Sequence, residues 1–135
     1  MSIAMNSMKL VVQDLETAER FYRAMGFQVV SRNTGGEGNV AQKQCWLSTT
    51  GDRSACVLIL SRFLEGPPRP PPIYPGEVWL VFTVSDVDAT LRSVQTQGGS
   101  VLRQGQDRPE HGVRAAVVSD PEGHIIELIG PMGAS

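Results

Sequence analysis

Two stretches of the chain repeat one alternation of apolar and polar positions. Met8-Lys9-Leu10-Val11-Val12 leads into Gln13-Asp14-Leu15-Glu16, and Leu80-Val81-Phe82-Thr83-Val84 leads into Ser85-Asp86-Val87-Asp88. The offset from Asp14 to Asp86 is 72 residues, and it also carries Gly26 onto Gly98 and Val29 onto Val101. Self-similarity at a fixed offset predicts two copies of one supersecondary unit.

Each copy predicts the same elements in the same order. The apolar run is a strand, rich in β-branched and large side chains. Asp14 and Asp86 stand where an N-cap accepts hydrogen bonds from the first free helix amides. Glu16 and Asp88 then favour the positive end of the helix dipole. Leu15, Ala18, Phe21, Tyr22 and Met25 recur at helical spacing in the first copy; Val87, Leu91 and Val94 do so in the second. Gly26 and Gly98-Gly99 predict the helix ends, because glycine enters the left-handed conformation that closes a helix. Phe27–Arg32, Val40–Thr49 and Ala55–Ser61 read as strands after the first helix. Ser100–Arg103, Val113–Ser119 and Ile125–Ile129 read as strands after the second. The predicted class is α+β, with the order β-α-β-β-β taken twice.

Between the copies runs Gly66-Pro67-Pro68-Arg69-Pro70-Pro71-Pro72-Ile73-Tyr74-Pro75-Gly76. Proline fixes φ and lacks an amide donor, so this stretch reads as a stiff extended connector rather than a peptide ligand for an SH3-type domain. One domain over 1–135 follows, with module 1 at about 5–65, the connector at 66–76 and module 2 at 77–130.

Composition narrows the partners. With 135 residues, 41% hydrophobic and 19% charged, the chain has the profile of an ordinary globular domain. A net charge of −2 gives no electrostatic reason for a nucleic acid or an anionic membrane as partner. No apolar run approaches the roughly 20 residues that span a bilayer. The opening residues lack the basic start and apolar core of a secretory signal. Cys45 and Cys56 form no framework, so reduced thiols and a cytoplasmic location are expected, with a cross-strand disulfide as the alternative.

Three motifs then carry a resemblance. Leu10-x-Val12-x-Asp14-Leu15-x-x-Ala18-x-x-Phe21-Tyr22-x-x-Met25-Gly26-Phe27, Phe82-x-Val84-x-Asp86-Val87-Asp88-Ala89 and Asp120-Pro121-Glu122-Gly123-His124-Ile125-Ile126-Glu127-Leu128 occur in that order. Together they resemble the vicinal-oxygen-chelate proteins (glyoxalases, bleomycin-resistance proteins and extradiol dioxygenases) from about Ser7 to Ile129. The resemblance implies paired βαβββ modules whose curled mixed sheet forms a cup around a small ligand, with the helices outside. Strand side chains alternate between faces. Met8, Leu10, Val12, Leu80, Phe82 and Val84 are thus expected under the helices. Ser7, Lys9, Val11, Trp79, Val81 and Thr83 are expected on the cup side.

Members of that family with a metal hold it through the first and last strand of each module. The resemblance places those four positions at Ser7, Ile59, Trp79 and Glu127. Divalent cations take about three or four N or O ligands in such sites. Serine is a poor ligand, isoleucine and tryptophan are none, and one carboxylate does not hold a metal against water. No metal and no cofactor are therefore expected. His124 reads as a turn residue and His111 as a solvated loop residue.

An apolar and partly aromatic cup with few polar groups describes a pocket for an organic molecule. The expected ligand-binding set is Ser7, Lys9, Trp46, Ile59, Trp79, Val81 and Glu127, with the facing of Trp46 undecided by alternation alone. Glu127 has three open readings: a structural pair with Lys9, a partner for a cationic or hydrogen-bonding ligand group, or a catalytic general base. Trp79 lines the cup or fills it and closes it into core. Resemblance to the metal-free bleomycin-resistance type implies a homodimer that sequesters a small organic, aromatic molecule, with no nucleic acid or membrane partner. The alternatives are a glyoxalase- or dioxygenase-like enzyme (isomerase, lyase or ring-cleaving), using Glu127 as acid/base or an atypical metal site, and a filled cup that works through its surface.

Overall fold

In the computed structural model, which describes residues 2–65 and 77–133, each copy of the repeat builds a helix between one strand and three later ones. Module 1 runs β1 (Met8–Val11), α1 (Leu15–Ala24), β2 (Gln28–Gly35), β3 (Gln42–Ser48) and β4 (Cys56–Phe63). Module 2 runs β5 (Trp79–Thr83), α2 (Val87–Thr96), β6 (Ser100–Arg108), β7 (Val113–Ser119) and β8 (Ile125–Gly130). The sheet orders are β1-β4-β3-β2 and β5-β8-β7-β6. The first and last strand of each module pair in parallel, and the remaining neighbours are antiparallel. The modules fall in two compact units, Met1–Arg69 and Pro70–Ser135. The proline-rich connector at 66–76 lies outside the described residues.

The helices begin and end where local chemistry directs. The Thr17 amide donates to Asp14 Oδ1 and the Ala89 amide to Asp86 Oδ1, each at 3.0 Å. At Asp14 that amide bond, helped by the Thr17 hydroxyl, holds the carboxyl below its ordinary range. Gly26 at φ +111° and Gly98 at φ +89° supply the left-handed residue after each helix.

The two cores differ in material. In module 1, α1 buries Ala18, Phe21 and Tyr22 on the sheet side that carries Leu10, Leu47, Leu58 and Leu60. Phe21 and Tyr22 meet edge to face with centroids 5.1 Å apart, and Tyr22 and Phe27 do so at 5.9 Å. In module 2 the buried set is aliphatic: Val87, Leu91 and Val94 of α2, with Val118, Ile126 and Leu128 of the sheet. Each such side chain contributes about 1.5–3 kcal/mol on burial.

Alternation along the first strands is as expected. Leu10, Val12 and Leu80 are buried, whereas Lys9, Val11, Trp79, Val81 and Thr83 are exposed. Four expectations change. β1 begins at Met8, so Ser7 precedes the strand, and its hydroxyl donates to Asn6 Oδ1 at 2.9 Å. Val40 closes a short helical turn, Gly38–Val40, and β3 starts only at Gln42. Gly36 at φ +77° permits this turn, since a side chain there would run into the Val40 carbonyl. β6 continues five residues beyond Arg103, to Arg108. It is an edge strand with bulges between Val101 and Arg103 and between Arg103 and Gln106, which destroy the period-two pattern that marks a strand. Finally, Cys45 is a free, buried thiol opposite Leu60, which removes the disulfide alternative.

Candidate functional site

Each helix covers one face of its sheet within its module and leaves the opposite face open. On the open face of module 2 the register aligns Val81, Glu127, Val117 and Arg103 in one row across four strands. The next row holds Thr83, Ile129, Ala115 and Gln106. A cleft of ≈ 750 Å3 opens here, lined by Trp79, Glu127, Arg103, Leu102, Val113, Ala115, Val117 and Ile129, with Arg108, Glu110 and His111 at the β6–β7 end. Its floor is hydrocarbon, its one large aromatic surface is the Trp79 indole, and its charges stand at the edges.

Those charges have no partner among the described residues. Glu127 is half-buried, and its carboxylate has no hydrogen bond or ion pair among the described residues. The same holds for the guanidinium groups of Arg103 and Arg108. Arg114 shows the contrast: Asp88 and Asp107 each hold it at 3.1 Å, and those bonds raise its pKa further.

On the open face of module 1 the matching row is Lys9, Ile59, Trp46 and Ser31, followed by Val11, Ser61, Gln44 and Asn33. The pairing of Lys9 with Ile59 and of Val81 with Glu127 makes Ile59 and Glu127 equivalent positions. This face is hydrogen-bonded to itself. Lys9 Nζ donates to Gln42 Oε1 at 2.8 Å, Gln44 Nε2 to the same oxygen at 2.9 Å, and Trp46 Nε1 to Gln44 Oε1 at 2.9 Å. The Arg53 guanidinium lies 5.6 Å from the Trp46 ring centroid, a cation–π distance. Trp46 therefore faces the open side, with its polar edge already engaged. Ser61 Oγ is buried and lacks a partner among the described residues.

The predicted set is thus divided. Trp79 and Glu127 line one cleft, and Val81 flanks Glu127 on β5. Lys9, Trp46 and Ile59 share the open face of module 1, and Ser7 stands just before its first strand. Lys9 is engaged by Gln42 within its own module. Sequence reasoning missed Arg103, Arg108 and the apolar floor. His111 is exposed, as expected of a loop, yet it belongs to the cleft rim. The other histidine is a turn residue: His124 Nδ1 lies 2.7 Å from Asp120 Oδ2, and its amide donates to Asp120 Oδ1.

A second cleft of ≈ 850 Å3 lies on the helix side of module 1, lined by Arg20, Arg32, Lys43 and Arg62 together with Asp14, Glu16 and Glu19. Its acids are mostly committed. Glu19 accepts Arg32 Nε at 2.8 Å and Nη2 at 2.9 Å, and Cys45 Sγ at 3.2 Å. The Arg32 hydrogen bond chiefly holds the Glu19 carboxyl below its ordinary range, against desolvation. Desolvation, then the Glu19 carboxylate, pushes the Cys45 thiol up to about 12.

The donors do not suit a metal. The Ser7 hydroxyl is bonded to Asn6, Ile59 and Trp79 offer no donor, and the residue beside Ile59 is the cation Lys9. No group of three His, Cys, Asp or Glu side chains is placed to hold an ion among the described residues.

The comparisons agree with this architecture. The family model of the Glyoxalase/Bleomycin resistance protein/Dioxygenase superfamily matches residues 4–128, and the chain belongs to that superfamily. A glyoxalase family protein from Bacillus cereus is 21% identical with a TM-score of 0.82, covering 98% of this chain and 97% of that one. The trypanothione-dependent glyoxalase I of Leishmania major is 22% identical with a TM-score of 0.72, covering 96% and 87%. TioX from Micromonospora sp. ML1 is 22% identical with a TM-score of 0.65, covering 96% and 99%. At such identities the likeness is one of fold. No protein of curated function matches the chain. No described helix is long and apolar enough to cross a membrane.

Proposed function

We propose that this protein is a metal-free binding protein for a small organic, aromatic molecule, which it sequesters without chemical change. One observation carries the reading: where relatives with a metal place a ligand on β5, this chain puts Trp79, and that indole walls a cleft with an apolar floor and a single unpartnered carboxylate on β8, Glu127. Burial of an aromatic ring on hydrocarbon supplies the affinity, and stacking on an indole adds about 0.5–1.5 kcal/mol. The few polar groups at the edge fix orientation. Sequestration of a drug in the manner of the bleomycin-resistance proteins, a cytoplasmic location and a homodimeric state belong to this proposal. Exposed Val78, Trp79, Val81 and Leu102 favour the dimer, because they leave apolar surface on module 2 to be covered.

The test is fluorescence quenching in a Trp46→Phe variant, where Trp79 is the only indole left of the two. A panel of planar aromatic compounds is expected to quench it saturably, and Trp79→Ala, followed by equilibrium dialysis because it lacks that indole, is expected to weaken binding by about 2- to 13-fold through the lost stacking alone. A panel without any response overturns the proposal. So does stoichiometric zinc, iron, manganese or nickel in protein purified without chelator.

The unpartnered state of Glu127 favours a second reading, in which it serves as general acid or base for an isomerase, lyase or ring-cleaving reaction. Glu127→Gln would then abolish turnover while a neutral ligand still bound.

A further inference from the structure

Glu127 and Arg103 stand in one row of the open face of module 2, with Val117 between them. Neighbouring strands are about 4.8 Å apart, so the two backbones are about 10 Å apart. Neither side chain has a partner among the described residues. Val117, Ala115 and Ile129 present only hydrocarbon to the cleft beside them. Arg108 stands further along β6, opposite Val113, and is equally without an ion pair. Glu110 follows it in the turn, exposed and not bonded to it.

This layout has a consequence for whatever displaces water from the cleft. A ring laid on the floor strips hydration from a carboxylate on one side and a guanidinium on the other. Each loss is unfavourable unless the ligand replaces the water with a complementary group. A wholly neutral ring leaves both unmatched, and a singly charged one leaves the other end unmatched. A guanidinium also offers the fork of donors that receives a carboxylate through two bonds.

We propose that the cleft selects a dipolar aromatic ligand: a flat ring system with a cationic amine at one end, received by Glu127, and a carboxylate at the other, received by Arg103, with Arg108 further along β6. This rests on the reading of the cleft as an aromatic binding site, and it adds the charge pattern of the ligand. Trp79 serves the ring, and Glu127 and Arg103, on either side of Val117, serve the two charges.

Four naphthalene probes of one size test it by equilibrium dialysis: 6-(aminomethyl)-2-naphthoic acid, its methyl ester, 6-methyl-2-naphthoic acid and 2,6-dimethylnaphthalene. They carry both charges, the cation alone, the anion alone and no charge. The dipolar probe is expected to bind at least 10-fold tighter than either singly charged probe. Glu127→Gln is expected to weaken the dipolar and cationic probes about 10-fold and leave the anionic probe within 2-fold. Arg103→Gln is expected to weaken the dipolar and anionic probes and spare the cationic one. Equal binding of the uncharged and dipolar probes overturns the charge pattern and leaves the aromatic site standing. Binding of none of the four at millimolar concentration overturns the site itself, and the charge pattern with it. The wild-type series decides between these outcomes even if a variant fails to fold.

Discussion

Lys9, Ile59, Trp46 and Ser31 cross the open face of the first module where Val81, Glu127, Val117 and Arg103 cross that of the second. One backbone design therefore carries nearly inverted chemistry. The first face hydrogen-bonds to itself through Lys9, Gln42, Gln44 and Trp46, the Ser61 hydroxyl apart; the second is hydrocarbon with charges that have no partner among the described residues. The inversion continues under the helices. Glu19 joins the exposed Arg32 to the buried Cys45 in a polar contact in module 1, whereas Leu91 and Ala116 are buried apolar side chains in module 2. A self-satisfied polar face has little to offer a ligand, because each hydrogen bond to a newcomer replaces one already made. Unpaired charge beside an apolar floor is the opposite case, and this places the candidate site in the second module.

The contrast can be broken at several points. The largest effect is expected from Phe21→Ala, which removes a fully buried ring of the aromatic cluster in module 1 and costs about 3–5 kcal/mol by denaturant unfolding. A loss below about 2 kcal/mol would mean that the cluster does not hold that core. Gly130→Ala comes next, at about 1–3 kcal/mol. An added Cβ there would meet the Val84 carbonyl oxygen at 2.7 Å and Val87 Cγ2 at 3.0 Å, so α2 would have to shift. Arg62 holds the same register position in module 1 and is exposed, so Arg62→Ala should change stability by no more than about 0.5 kcal/mol. Equal costs at the two positions would refute the difference in packing.

Titration sharpens the comparison under α1. The folded Glu19 carboxyl is held below its ordinary range, so its contribution is present above the unfolded value and lost as pH falls through the folded one. The Cys45 thiol is raised from 9.0 to about 12, so its contribution is present below 9.0 and lost as pH rises towards 12. Module 1 should therefore weaken at both ends of the pH range, and Cys45→Ala should reduce the alkaline limb of a melting-temperature profile. In a Cys56→Ser background, Ellman's reagent should modify Cys45 at pH 8 only after unfolding; rapid reaction of the native protein would contradict the burial. The smallest effect is expected at Ser61, whose buried hydroxyl has no partner among the described residues. Ser61→Ala should be neutral or stabilising by up to about 1 kcal/mol, because removal of an unsatisfied polar atom relieves its desolvation. A loss of more than about 1 kcal/mol would reveal a bound water or other partner.

Much of the fold was legible before any coordinates. Asp14, Asp86, Gly26 and Gly98 marked the helix ends, and alternation assigned Lys9, Val11, Trp79, Val81 and Thr83 to the open faces. The candidate site was legible only at Trp79 and Glu127. Arg103 was read as the last residue of a short strand and Arg108 fell outside any predicted strand, because the bulges of β6 scramble the pattern that identifies a strand. Trp46 could be turned to its face only through its pairing with Ile59 and Ser31.

What the sequence determined by itself is what acts within a few residues: a cap reaching three positions, a glycine taking positive φ, a strand showing alternate sides. These depend on covalent geometry and neighbouring amides, which travel with the chain. What only the tertiary structure decided is which residues from distant strands stand side by side. The repeat offset of 72 residues links β1 to β5, but the last strands are offset by 68, from Ile59 to Glu127. That equivalence was implied by the resemblance and is met by the strand pairing, whereas the row that sets Glu127 across Val117 from Arg103 exists only once strand pairing fixes a register. A shift of one residue would turn every one of those side chains to the other face.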